Sequence, residues 1–185
     1  MELLGVIKGR RSVRKYKPTP IKDEDLNAVL EAARWAPSWR NSQCWRFILV
    51  RDPEIRSRLA ETLPETNPAL PAIKEQAPLV IVTCAELGKS GYSREGQQAT
   101  TKGESWYMFD TALALQNMAL MAHSLGLGTV HVGRFDAEKA AQILDVPENV
   151  VVVEIIPLGY ADEVPKASRR KELSEMVFHD KYGRR

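Results

Sequence analysis

The run from residue 105 to 125, Ser-Trp-Tyr-Met-Phe-Asp-Thr-Ala-Leu-Ala-Leu-Gln-Asn-Met-Ala-Leu-Met-Ala-His-Ser-Leu, constrains the fold more than any other part of the chain. It contains no glycine or proline, is rich in Ala, Leu and Met, and meets Gly126 and Gly128, so it has both the propensity and the stop signal of a helix. Such a helix makes about five to six turns. Asp110, Asn117 and Ser124 recur every seven residues, as do Gln116 and His123, leaving Trp106, Phe109, Leu113, Leu120 and Met121 to cover most of the remaining surface. A helix apolar nearly all round is a buried helix. Asp110, Gln116, Asn117 and His123 would each be costly at bilayer depth, which argues against a membrane span. The expected place is the centre of a water-soluble domain. In a chain of 185 residues, covering such a helix on every side calls for a second subunit, so dimerisation is an expectation.

The remaining composition agrees with one globular domain over residues 1–185: 44% of the residues are hydrophobic and 27% charged. A net charge of +2 is too balanced to make nucleic acid the default partner, although a local basic cluster can still hold a phosphate. The N-terminus places an acidic residue, Glu2, ahead of Leu3 and Leu4 and has no long apolar core, so it does not read as a signal peptide, and the expected location is cytoplasmic. Cys44 and Cys84 form no CxxC, and His123, His131 and His179 are scattered, so neither a disulfide framework nor a metal site is expected. The three histidines read as structural or surface residues.

Along the chain, short helices alternate with apolar strands. Leu3, Leu4 and Ile7 mark a first helix ending at Gly9. Asp23 reads as the cap of a second, with Leu26, Val29, Leu30 and Ala33 at helical spacing and Pro37 as its stop. A strand follows at 45–50, and Asp52-Pro53 opens another helix with a capping carboxylate before a proline at the first helical position. Residues 79–84 read as a buried strand, after an irregular connection marked by Pro64, Asn67, Pro68 and Pro71. The polar, glycine-containing stretch 86–104 reads as a lid or a plain surface loop. Beyond the central helix come a short strand at 129–132, a helix capped by Asp136 through Leu144, and a β-branched strand at 150–156 expected to be covered on both faces. From Ala161 onward the tail is polar. The order is that of a mixed helix-and-strand domain.

Three stretches have the composition for chemistry. Arg10, Arg11, Ser12 and Arg14 offer guanidinium groups and a hydroxyl suited to capture of a dianionic phosphate, though a solvated basic face has the same composition. The loop from Ser38 to Gln43 sets amide and hydroxyl groups beside Trp39, enough to bond a planar heterocycle and cover its face, or simply to turn from helix to strand. His131-Val132-Gly133-Arg134 and Pro157-Leu158-Gly159-Tyr160 place glycines at strand ends, where backbone can approach a ligand closely or merely turn. There is no G-x-x-x-x-G-K-[ST], no complete dinucleotide fingerprint and no G-x-S-x-G, so any phosphate must be held by side chains.

Together these stretches resemble the nitroreductase family of flavin-dependent oxidoreductases, and the resemblance covers nearly the whole chain. Arg10-Arg11-Ser12-Val13-Arg14-Lys15-Tyr16 is similar to the family's R-R-S-x-R-x-[YF] element, and Ala36-Pro37-Ser38-Trp39-Arg40-Asn41-Ser42-Gln43-Cys44-Trp45 to its A-P-S-x-x-N-x-Q-P-W element. The long helix with Gly126 and Gly128, then Pro157-Leu158-Gly159-Tyr160 and the basic tail, completes the family order. The resemblance implies an α+β three-layer fold with a central mixed sheet flanked by helices, and a homodimer with FMN at the subunit interface. It also implies reduction of nitroaromatics, quinones or related small acceptors with NADH or NADPH as donor.

Carried over by the same resemblance, Arg10, Ser12 and Arg14 hold the FMN phosphate and ribityl chain with help from Arg11, and Arg169 or Arg170 reaches the phosphate from the tail. Ser38, Trp39 and Asn41 come to the ring from the partner subunit, Val132 and Gly133 lie along its other face and offer a backbone donor near N5, and Asn67 contacts the ring. Cys44 departs from the family proline and removes a fixed backbone angle. The flavin carries the redox chemistry, so no catalytic side chain is required of the protein, and donor and acceptor take turns on one exposed face in a ping-pong sequence. The same scaffold is compatible with reductive dehalogenation, flavin fragmentation or a non-catalytic FMN-binding role.

Overall fold

The computed structural model describes residues 2–185. Six α-helices are described, α1 (Leu3–Gly9), α2 (Asp23–Arg34), α3 (Pro53–Ala60), α4 (Trp106–Ser124), α5 (Ala137–Ile143) and α6 (Leu173–Met176). They surround four strands, β1 (Trp45–Val50), β2 (Leu79–Glu86), β3 (Leu127–Thr129) and β4 (Val150–Tyr160), ordered β1-β2-β4-β3. All three strand pairs are antiparallel, where a mixed sheet was expected. Parallel pairing among the described residues is confined to a bridge between Ser12 and Thr129. The sequence could not reveal this, because apolar runs report burial and carry no strand direction.

Alternation along β2 divides the core. Val80, Val82 and Cys84 face one cluster with Leu59, Ile73, Ala140 and Ile143, on the side of α3 and α5. Leu79 and Ile81 face the other, with Leu26, Val29, Ala114 and Met118, on the side of α2 and α4. Strand side chains alternate between faces, so a strand with helices on both sides must be apolar throughout. The result is a three-layer α+β arrangement. The covered part of β4 lies later than expected: Val150 to Glu154 are mostly half-buried, while Ile155 to Gly159 are buried and the strand continues through Pro157. The sequence reading stopped at the proline, yet a strand tolerates one where the ladder does not need its N–H.

Helix α4 is less uniformly buried than its composition implied. Thr111, Ala114, Leu115, Met118, Ala119 and Ala122 form its inner face, whereas Met108 and Phe109 are 47% and 55% exposed. Asp110, one of the polar residues recurring every seven positions, is buried at 1% exposure. Asn117 donates to the carbonyl of Ala32 at 3.2 Å and fastens α4 to α2. Gly126, with φ of +78°, ends the helix in the left-handed geometry that glycine adopts without a Cβ penalty.

The capping expectations split. Asp52 accepts from the amides of Glu54 and Ile55, and Asp136 from that of Lys139. Asp23 does not cap α2: Lys22 occupies that position, and Asp23, Glu24 and Asp25 lie in the first turn, where their charge favours the positive end of the helix dipole. The 86–104 stretch is folded back on the body, with Ser90 and Gly91 buried, a bridge between Tyr92 and Gln98, and a 3₁₀ turn at Gly103–Ser105. No helix among the described residues is long and apolar enough to cross a membrane.

Candidate functional site

The basic segment after α1 is stitched to the sheet rather than left as a solvated loop. Val13 donates to the carbonyl of Thr129, Lys17 to that of Tyr160 and Asp162 to that of Lys15, each at 2.9 Å. Tyr16 is buried beneath it and donates its hydroxyl to the carbonyls of Val13 at 2.6 Å and Pro157 at 3.2 Å. Burial, reinforced by the charge of Glu163, pushes this phenol far above its ordinary range, so it stays a neutral donor. The amide of Arg14 donates to the Glu163 carboxylate at 2.6 Å. A polar segment thereby acquires a fixed backbone, and its guanidinium groups acquire fixed starting points.

Two cavities flank this segment. One, of about 490 Å³, is walled by Arg10, Arg11, His123, Gly126, Thr129 and Glu163. The other, of about 280 Å³, gathers Arg14, Asn67, His131, Val132, Gly133 and Arg134. Ser12 lies between Arg11 and Val13 and is bridged to Thr129. Arg10 carries a buried guanidinium nitrogen, Nη1, with no hydrogen-bond partner. Desolvation, and next the charges of Arg11 and Arg170, lower its pKa. A cation held among cations with an unsatisfied donor is costly until an anion arrives. Both tail arginines are exposed; Arg170 is the one whose charge Arg10 feels, and it donates to the carbonyl of Arg169 at 3.4 Å.

The second cavity presents polar groups beside open backbone. Val132 exchanges both its backbone hydrogen bonds with Ile155, each at 3.1 Å, so the neighbouring N–H of Gly133 is the donor that can face a ring. A Cβ at Gly133 would meet nothing within 4 Å, so this wall is open rather than crowded. Asn67 is braced in its turn: its Oδ1 accepts from the amide of Ala69 at 3.0 Å, and its own amide donates to Pro64 at 2.8 Å. His131, which the sequence reading set aside, lines this cavity and its Nδ1 lies 2.9 Å from Glu154 Oε2. Nothing in their separation along the chain signals that pair, which forms only because Val132 bridges to Ile155.

The Ser38-to-Gln43 loop lies elsewhere, at the N-terminal end of α4, and neither cavity takes a wall from it among the described residues. It forms a 3₁₀ turn at Trp39–Asn41 in which Arg40 and Asn41 have φ of +48° and +58°, followed by Gln43 at +46°. The Trp39 amide donates to Asp110 Oδ2 at 2.9 Å, and its indole donates to the carbonyl of Tyr92 at 3.0 Å. Its ring packs on Trp106 at 5.1 Å, and Trp106 packs in turn on Phe109 at 5.2 Å. Nothing in the local sequence marks Asp110 for this role. Cys44, where a proline was expected, is buried at the entry to β1, its thiol pKa raised by burial and then by the charge of Asp110.

This is the arrangement of a three-layer α+β protein with a basic edge segment, an open glycine-lined cavity and an aromatic loop apart from both. The sequence model of the nitroreductase family matches residues 7–160, and the chain belongs to that family. A protein of Methanothermobacter thermautotrophicus named as an NADH dehydrogenase/NAD(P)H nitroreductase is 34% identical over 169 residues, covering 89% of this chain and 80% of that one. Among solved structures, a nitroreductase family protein from Clostridium novyi NT matches with a TM-score of 0.77 and 31% identity, covering 100% of this chain and 96% of its own. An FMN-dependent nitroreductase from Clostridium difficile R20291 matches with a TM-score of 0.78 and 30% identity, covering 97% and 99%.

Proposed function

We propose that this protein is an FMN-dependent oxidoreductase that draws electrons from NADH or NADPH and delivers them to nitroaromatic, quinone or related small acceptors in alternating half-reactions. One observation carries the reading: a fixed basic edge separates two cavities, with an orphaned guanidinium nitrogen of Arg10 on the side of one and Arg14 meeting Asn67, Val132 and Gly133 in the other. That set fits a flavin mononucleotide, because a terminal dianion suits clustered guanidinium groups and a planar ring suits open backbone beside a donor. Relatives named as an FMN reductase and an NADPH-flavin oxidoreductase support the same cofactor and donors.

When bound, FMN supplies the hydride and electron chemistry. The chain's task is binding, orientation and access. Arg10, Arg14 and Arg170, with Arg11 and Ser12, hold the phosphate and ribityl end. The N–H of Gly133 gives a hydrogen bond to the ring, Val132 packs beside it, and Asn67 approaches from the 64–71 connection. Ser38, Trp39 and Asn41 reach the ring of a neighbouring subunit, which accounts for their distance from the cavity walls of their own chain. The protein is then a homodimer of single-domain chains, and the exposed apolar residues Leu3, Leu4, Met108, Phe109, Leu173 and Met176 supply surface to be covered. A cytoplasmic location suits an enzyme that takes its electrons from a nicotinamide pool.

Anaerobic mixing with NADH and with NADPH, followed by flavin absorbance, tests the reading, with acceptors added once the flavin is bleached. Denatured holoprotein is expected to release FMN, and the bleached flavin to recover its colour on adding a nitroaromatic or a quinone. Flavin that stays oxidised with both donors would make this an FMN-binding protein without the reductase activity. Full reduction followed by no nitroaromatic or quinone turnover would point to another reaction on the same scaffold.

A further inference from the structure

Asp110 is the one carboxylate of α4 and is buried at 1% exposure, and a single oxygen, Oδ2, gathers donors from two separate parts of the chain. The Trp39 amide reaches it at 2.9 Å and the Ser42 hydroxyl at 3.2 Å, both from the loop that turns into β1. The Ser90 hydroxyl reaches the same oxygen from the 86–104 stretch. No ion pair involves this carboxylate among the described residues, so neutral donors alone replace its lost water.

What these bonds hold is a strained conformation. Arg40, Asn41 and Gln43 are non-glycine residues in the left-handed region, each held there at an energetic cost that surrounding structure must offset. The Gln43 amide adds a bond to Ser38 Oγ at 3.0 Å within the loop, while the two contacts to Asp110, with the Trp39 ring on Trp106, fix the loop to the body of the protein. The indole of Trp39 is tied to the 86–104 stretch a second time, through Tyr92. Loop and stretch therefore meet at a shared carboxylate and again at a shared tryptophan.

We propose that Asp110 is a positioning residue that sets the geometry of the Ser38-to-Asn41 loop and couples it to the 86–104 stretch that covers it, so that the ring-facing loop and its cover hold their places together. This rests on the reading that the loop meets a flavin ring. Displacing the cover changes how the loop presents Trp39 and Asn41, and loosening the loop frees the cover.

Ser42→Ala, Ser90→Ala, the double variant and Asp110→Asn test this against wild type. Three readouts apply: FMN dissociation constant, tryptic cleavage at Lys89, Arg94 and Lys102 in the apoprotein, and KM against kcat for a quinone acceptor. Ser90→Ala, outside the loop, should weaken FMN binding by roughly three- to tenfold, the weight of one hydrogen bond. Ser42→Ala, outside the cover, should speed cleavage at the cover. The double variant should be no worse than the more severe single one, and Asp110→Asn should reproduce both effects, with acceptor KM rising more than kcat falls. The proposal is overturned if each serine affects only its own segment and the two effects add, or if only the thermal midpoint falls. Should Asp110→Asn fail to fold, the serine pair still decides. A wild type that takes up no FMN would end the flavin reading instead, and the cleavage response to Ser42→Ala would still decide the coupling.

Discussion

Val13 lies directly over Gly128: its amide donates to the carbonyl of Thr129 at 2.9 Å, and a Cβ on Gly128 would sit 2.7 Å from Val13 Cγ2. The glycine lets the basic segment lie flat on β3, and this contact fixes the position of Arg10 to Arg14. Gly128→Ala forces Val13 outward, and overpacking of this kind costs about 1–3 kcal/mol. The variant is expected to show a lower thermal midpoint together with weaker FMN binding. A lower midpoint with unchanged FMN affinity would detach the segment's placement from the phosphate site.

Arg14→Ala removes one charge-assisted contact from the proposed phosphate site, where Arg14 lines the cavity with Asn67 and Gly133. The expected loss is about 1.5–3 kcal/mol, or roughly one to two decades in FMN affinity. Arg14 Nη1 makes only a long 3.4 Å bond to the Ser12 carbonyl, so the fold should be little disturbed. Equilibrium titration that returns the wild-type dissociation constant, with helix content intact, rules Arg14 out as a ligand.

The elements that place this site were legible because local chemistry marks them. Asp52-Pro53 announced α3, Asp136 announced α5, and the glycines after the long run ended α4 where they stand. Basic segment, loop and glycine strand were each visible as motifs. Their geometry was not, because it depends on contacts between residues far apart in sequence. Asp110 joins Ser42 and Ser90 across separations of 68 and 20 residues, and His131 meets Glu154 across 23. Periodicity marked Asp110 as one of a few polar residues on a buried helix and stopped there, because it weighs polarity and cannot see a cluster of waiting donors.

Both cysteines should be inert in the native state. Burial pushes the Cys84 thiol up to about 11, and burial with the charge of Asp110 raises that of Cys44. The thiolate is the reactive form, so an aromatic disulfide reagent at pH 8 should react with neither until denaturant is added. Rapid labelling of Cys44 in the folded protein would show that the substitution of the family proline exposes a usable thiol.

His123 reports on the anion site. Burial, followed by the charges of Arg10 and Arg11, lowers its pKa below the ordinary 6.5. A base whose folded value is depressed is protonated first in the unfolded chain, so stability present above pH 6.5 is lost as the pH falls towards the folded value. A phosphate dianion on Arg10 and Arg11 cancels their repulsion, so FMN is expected to raise the titration midpoint of the His123 ring. Nuclear magnetic resonance of the imidazole with and without FMN measures this. An unmoved midpoint at saturation would place the phosphate away from Arg10 and Arg11.

Flavin binding and dimerisation should be linked through Asn41. Its loop contributes no wall to the cavities of its own chain, and Asp110 holds that loop with Asn41 exposed in left-handed geometry, φ of +58°, so the side chain is presented ready-formed to a neighbour. If that partner is a flavin in the neighbouring subunit, the ligand touches both chains and stabilises the dimer by mass action. At a free concentration one hundred times the dissociation constant, the gain is about 2.7 kcal/mol. Removing FMN should therefore lower the thermal midpoint and make it depend more steeply on protein concentration. Asn41→Ala should weaken FMN binding but leave the apo dimer nearly intact, because the apolar surfaces on α1 and the tail are separate from the loop. Sedimentation of apo and holo protein over a dilution series, repeated with the variant, measures both effects. A holo monomer that keeps FMN at every dilution would show that one chain builds the whole site and that Asn41 does not act across an interface.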